Sequence, residues 1–322
     1  MPMLVSRTRE QLVGGILEFL NGQDLLALAE IRTALEREID DAGPASLIAL
    51  RERLTLDAGW TYYPPDPLAR RIHLLLATRF VQPDSQVAGL DHLNVIANDP
   101  VIIVSNHLSY ADANVLHVML HRVGCRDLAD RLTAMAGPKV FSVRERRFSS
   151  LCFGTIKVPQ SRDVSSDEAV QDAREVARSA RRAIEIAADR VAGGDALVLF
   201  GEGTRSRSAQ MQRMLAGVAR YLEVPGAWVL PVGLTGSELL FPIGDVTVRP
   251  ARLDVTIGTP MRTDPLLPLV MRHRQTAMDL VGLTIAELIP SAYRGVYQDW
   301  AAFPDAAEER AGVAARARTS LQ

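Results

Sequence analysis

The stretch "DPVIIVSNHLSYADANVLHVMLHRV", Asp99 to Val123, decides how the rest of the chain is read. Its first part, Val101 to Val104, is an unbroken β-branched run, the texture of a strand buried on both faces. From about Ala111 the apolar residues return at helical intervals. Between the two lie Asn106, His107 and Asp112. His107 and Asp112 are five positions apart, which fits neither one face of a helix nor one face of a strand. They meet only if the chain turns between them, with His107 in the connecting loop and Asp112 in the first helical turn. A carboxylate placed there can accept from the imidazole Nδ1–H, fix the tautomer and leave Nε2 free to take a proton. A buried strand opening into a helix N-terminus is also where α/β sheets place ligands.

The same alternation continues outward from this stretch. "GTIKVPQ", "DALVLFGEG", "AWVLPVGL" and "RLDVTIGTP" read as strands. "SSDEAVQDAREVARSARRAIEIAADRVAGG" reads as a long helix with Ser165 and Glu168 at capping-box spacing, and "PLLPLVMRHRQTAMDLVGLTIAELI" as a closing helix. Residues 5 to about 57 look helical, with a break at Asn21-Gly22. "GWTYYPPDPLARR" reads as a linker or docking segment, and "DPLARRIHLLLATRFV" as a helix packed on the core, with a basic helix lying on a membrane surface as the minority alternative. These patterns predict an α/β fold with a largely parallel central sheet flanked by helices and a small N-terminal helical region. The expected divisions are 1–82 (helical region and linker), 83–300 (α/β domain) and 301–322 (a loosely docked or frayed tail).

Composition narrows the function classes. The formal net charge of −2 gives no global attraction for nucleic acid, so no nucleic-acid partner is expected. Two cysteines, Cys125 and Cys152, are too few for a disulfide framework and read as reduced thiols. The longest uncharged stretch with aromatics, "VPGAWVLPVGLTGS", is broken by proline and glycine and is too short to span a bilayer. The chain is expected not to cross a membrane but to rest on one.

A second stretch repeats the design of the first. "LVLFGEGTRSRS", Leu197 to Ser208, is a buried strand that empties into glycines, an acid, hydroxyls and two arginines. Gly203 lets backbone approach a ligand, and Arg205 can clamp a phosphate bidentately. Gly201-x-Gly203 lacks the third glycine of a dinucleotide fingerprint, since Ser206 stands in that place.

Together the two stretches resemble the glycerophospholipid acyltransferase family, which includes the 1-acylglycerol-3-phosphate acyltransferases. The family pattern of Asn-His, four residues and Asp is matched by Asn106, His107 and Asp112. Its Phe-Pro-Glu-Gly-Thr-Arg block is matched by Phe200, Gly201, Glu202, Gly203, Thr204 and Arg205, with Gly201 in place of the usual Pro. "GTIKVPQSR" and "VLPVGL" resemble two further blocks, in order, although Arg162 lies two residues beyond the usual spacing. The resemblance runs from about Val87 to Pro260.

It implies His107 as general base on an acceptor hydroxyl that attacks the thioester of acyl-CoA or an acyl carrier protein, with Asp112 orienting the imidazole. Arg205, with Lys157 or Arg162, would hold the acceptor's phosphate, Glu202, Gly203 and Thr204 would shape that pocket, and Asn106 would also lie in the substrate site. No cofactor is implied beyond the thioester co-substrate. The acceptor would be a lysophospholipid, most readily 1-acylglycerol 3-phosphate. Glycerol 3-phosphate, another lipid hydroxyl and a non-catalytic phospholipid-binding role remain open. A two-tailed product needs a bilayer to enter, so the expected location is cytoplasmic and peripheral, at the inner face of the membrane.

His117 and His121 have metal-ligand spacing on one helix. The Glu of a zinc-protease motif is absent and no third ligand is evident, so they read as core or surface histidines and no metal is expected.

Overall fold

The decisive strand, Val101–Ser105, is buried along its whole length. A computed structural model of the protein describes residues 2–20, 22–96, 99–159, 173–244 and 247–319. Among these residues nine strands run in chain order: β1 Tyr62–Tyr63, β2 Gln86–Ala88, β3 Val101–Ser105, β4 Leu132–Ala136, β5 Gly154–Lys157, β6 Ala196–Phe200, β7 Trp228–Thr235, β8 Asp254–Ile257 and β9 Met261–Arg262. They join one sheet in the order β1-β5-β4-β6-β3-β7-β8-β2, with β9 on β7. The five central strands β5-β4-β6-β3-β7 are mutually parallel. Antiparallel pairs close the margins, at β1–β5, β7–β8 and β7–β9. This is the expected largely parallel α/β fold.

Alternate side chains of β3 serve two cores. Val101 and Ile103 face one buried cluster, and Ile102 and Val104 face the other. The first core takes in the N-terminal helices: Leu12 and Ile16 of Pro2–Phe19, Leu35 and Leu47 of Leu25–Thr55, and Ile72 of Pro67–Phe80 lie in the same cluster as the sheet. The second core is covered by Ala173–Ala192, Thr263–Arg272 and Arg274–Glu287.

The structure departs from the sequence reading in several places. Leu25–Thr55 is broken at Gly43, whose φ of 79° precedes Pro44. The "TYYPP" segment is no simple linker, because Tyr62 and Tyr63 form an edge strand and the following prolines lie where no ladder donor is needed. Pro67–Phe80 is capped by the Asp66 carboxylate and buries Leu68, Ala69, Ile72 and Phe80. Its arginines pair with protein acids, Arg71 with Glu38 and Arg79 with Glu30, and the helix packs on the core. The closing helix is two, separated at His273. The C-terminal helix Pro304–Thr319 docks, with Ala306 and Val313 buried and Arg310 gripping Glu287 at 3.0 Å. The predicted capping box at Ser165 and Glu168 and the break residue Asn21 lie outside the described residues.

Candidate active site

Because β3 and β6 are parallel neighbours with Ser105 opposite Phe200, the loops carrying His107 and Glu202 leave the sheet side by side. They clasp each other through the backbone of His107. The His107 N–H donates to Glu202 Oε1 at 2.8 Å, and the His107 carbonyl accepts from the Ser206 N–H at 2.8 Å. Glu202 Oε2 accepts from the Gln212 N–H at 2.8 Å. Glu202 is buried, and that burial pushes its carboxyl up to about 7. The acid of the Glu-Gly-Thr-Arg loop thus ties His107 into place and does not itself line the cleft.

The turn between His107 and Asp112 forms as the spacing requires. His107 Nδ1–H donates to Asp112 Oδ2 at 2.7 Å. The same carboxylate folds the loop back by accepting from the Leu108 N–H at 2.7 Å and from the Ser109 N–H at 3.0 Å, at the first turn of the helix Asp112–Arg122. A fourth donor, Ser237 Oγ–H, reaches Asp112 Oδ1 at 2.5 Å from beyond the end of β7. With Nδ1 donating to a fully buried carboxylate, the Nε2 lone pair remains for chemistry. The His107 ring stacks on Phe200 with centroids 4.3 Å apart and keeps 16% of its side chain exposed.

His107 lines a cleft of about 940 Å³, a volume suited to a ligand of drug size or larger. Much of its wall is apolar, with Ile16, Phe19, Leu76, Phe80, Phe148 and Phe241 contributing. Lys139, Arg144, Arg146, Arg205 and Arg207 also line it, and among the described residues none of these five forms an ion pair. Arg205 and Arg146 both stack on Tyr110, at 3.4 and 4.1 Å from the ring centroid. Unpaired cations in a cleft of an acidic chain mark a place for an anion.

The expected site residues divide. His107, Gly203, Thr204 and Arg205 line the cleft, and Asp112 stands directly behind His107. Asn106 is turned away from it. Its amide donates to the Leu234 carbonyl at 2.9 Å and accepts from the Leu234 N–H at 2.8 Å, tying the loop to β7. Lys157 is also turned away, with Nζ 2.9 Å from Asp57 Oδ1 and 5.2 Å from the Trp60 ring centroid. That ammonium holds the Asp57 carboxyl below its ordinary value. Arg162 lies outside the described residues. Tyr110 and Ser237 were not foreseen, and Arg146 belongs to "VRERRFSS", Val143 to Ser150, which by sequence reads either as a basic patch for phospholipid headgroups or a carrier protein or as a solvated helix face. Tyr110 sat inside the quoted motif, but its two guanidinium partners come from 36 and 95 positions later, and only the folded chain assembles them.

Residues 85–235 match the Acyltransferase family model. That match supports an acyltransferase, and the matched segment contains His107, Asp112 and Arg205 together with β2 to β7. Comparison with curated proteins finds no significant match. Among solved structures, the 1-acyl-sn-glycerophosphate (LPA) acyltransferase PlsC of Thermotoga maritima is similar at 17% identity and a TM-score of 0.45, over 89% of this chain and 95% of that chain.

Proposed function

We propose that this acyltransferase moves a fatty acyl group from an acyl thioester, acyl-CoA or acyl carrier protein, to the hydroxyl of a lysophospholipid, most readily 1-acylglycerol 3-phosphate. The observation that carries this reading is the His107–Asp112 hydrogen bond at the wall of a cleft lined both by apolar side chains and by cations without ion-pair partners among the described residues. Nε2 of His107 removes the acceptor's hydroxyl proton as the oxygen attacks the thioester carbonyl. Asp112 stays ionised and stabilises the imidazolium. The tetrahedral intermediate collapses with cleavage of the C–S bond, and the departing thiolate takes the proton back from His107. No acyl-enzyme is formed. Arg205 and Arg146, set against Tyr110, hold the acceptor phosphate, while the apolar wall receives hydrocarbon.

No helix among the described residues is long and apolar enough to cross a membrane. Exposed Leu25, Leu26, Leu239 and Ile243 flank the end of the cleft where Phe19 meets Phe241, and they give the protein a place to rest on a bilayer. The direct test is a panel of lysophosphatidate, glycerol 3-phosphate and a neutral lysolipid, each assayed with acyl-CoA and with acyl carrier protein. Transfer to lysophosphatidate should dominate. His107→Ala should lower kcat by at least roughly 10²-fold and leave acceptor binding intact. Undiminished turnover in that variant would reject the mechanism, whereas wild-type protein that binds these lipids but turns none of them over would favour a lipid-binding protein.

A further inference from the structure

The helix that begins at Asp112 carries a second cluster about one and a half turns further on. His117 and His121 of that helix face Asp130, the last residue of the short helix Arg126–Asp130. His121 Nε2 lies 3.0 Å and His117 Nε2 4.0 Å from the same oxygen, Asp130 Oδ1. One donor atom from each of the three falls within 4.8 Å of the others, and among the described residues no second group of three His, Cys, Asp or Glu side chains does so.

An ordinary surface ion pair explains only part of this. Arg70 donates to Asp130 Oδ1 at 3.1 Å and to the Asp130 carbonyl at 3.0 Å, and with His121 it forms a plausible solvent-side network. His117 has no place in that network. Its side chain is fully buried, and neither ring nitrogen has a hydrogen-bond partner. A polar ring deprived of water and bonded to nothing calls for an explanation, and a bound ion is one of the few available. Asp130 is 45% exposed, which leaves a path for an ion to enter.

We propose that His117, His121 and Asp130 form a binding site for a zinc-type divalent cation. Two imidazoles four residues apart on one helix, with one carboxylate, are a donor set suited to borderline metals, with a position left for water. Arg70, already bonded to the Asp130 carbonyl, would act as the outer partner that orients the carboxylate. The ion would pin Asp112–Arg122 to Arg126–Asp130. Its role is structural, and it makes no contact with the reacting atoms.

The test uses tag-free protein, stripped with a chelator and dialysed, then titrated with Co²⁺ by visible absorption and with Zn²⁺ by calorimetry and thermal melting. One Co²⁺ per chain should bind and be displaced by Zn²⁺, with Tm rising by at least about 3 °C in excess Zn²⁺. His121→Gln and Asp130→Asn, both on the exposed side, should each weaken binding by at least roughly 10-fold, with the metal-free Tm little changed. His117→Leu should abolish the Zn²⁺ response and raise the metal-free Tm, because it removes two unpaired buried nitrogens. The proposal is overturned by wild-type protein that takes up no stoichiometric metal, or by a His121→Gln/Asp130→Asn double variant that binds as tightly as wild type. Neither readout depends on which acyl acceptor the enzyme uses.

Discussion

Asp112 is the most heavily bonded side chain of the site, and one of its four donors is open to a clean experiment. Ser237→Ala removes the hydroxyl at 2.5 Å without touching the cleft. A hydrogen bond to a charged group contributes about 1.5–3 kcal/mol. If that bond steadies the carboxylate behind the imidazolium, kcat should fall roughly 10- to 100-fold with KM unchanged, and Ser237→Thr should restore part of it. An equal loss in both parameters would show that Ser237 shapes the pocket instead. Glu202 gives a pH prediction. Its carboxyl stands at about 7 against an ordinary 4.5, so between those values the folded protein holds a proton that the unfolded chain has lost. Stability from this group is therefore highest at the acid end of that window and declines as pH rises through it. Urea unfolding across the window should show wild type losing stability relative to Glu202→Gln as pH increases. Parallel curves would contradict the burial argument. The His107–Asp112 hydrogen bond was legible in the sequence because both residues sit in the short connection between the end of β3 and the first turn of the next helix. The partners of Asn106 and Asp112 were not, since Leu234 and Ser237 lie well over a hundred residues away and only sheet order brings them near.

At the level of elements, the strands were legible wherever apolar runs were unbroken, as in β3, β6 and β7, because a strand covered on both faces has no polar side to confuse the pattern. Their order was not legible. Nothing local says that β3 lies between β6 and β7, yet that placement puts the two motif loops together. The two-residue strands β1 and β9 carry too little periodicity to be read at all. The turn after β7 is constrained more tightly than its "TGSE" sequence suggests. Gly236 has φ of 90°, and a Cβ there would overlap the Arg252 carbonyl oxygen. Gly236→Ala should cost about 2–4 kcal/mol in urea unfolding. It should also lower kcat, because Ser237 would be carried off Asp112. Unchanged stability would mean that β8 can shift to accept the methyl group.

For the whole molecule, the position of the exposed leucines leads to a membrane prediction. Leu25 and Leu26 are 87% and 74% exposed, beside a turn whose Gln23 side chain bonds the Val248 carbonyl at 3.3 Å. Leu25→Glu with Leu26→Glu should reduce co-sedimentation with anionic phospholipid vesicles several-fold, while turnover of a short-chain, water-soluble acceptor stays at the wild-type level. Equal sedimentation of variant and wild type would place the contact elsewhere. The wall of the cleft has an origin of its own. His107 and Arg205 come from the segment that matches the Acyltransferase family model, as does Phe148 of the apolar wall, whereas Ile16, Phe19, Leu76, Phe80 and Phe241 come from stretches before and after it. Under the proposed function, part of the wall that would receive hydrocarbon thus lies outside the segment that carries His107 and Arg205. On that reading, substitutions in the first helices would reshape the wall and leave His107, Asp112 and Arg205 as they are.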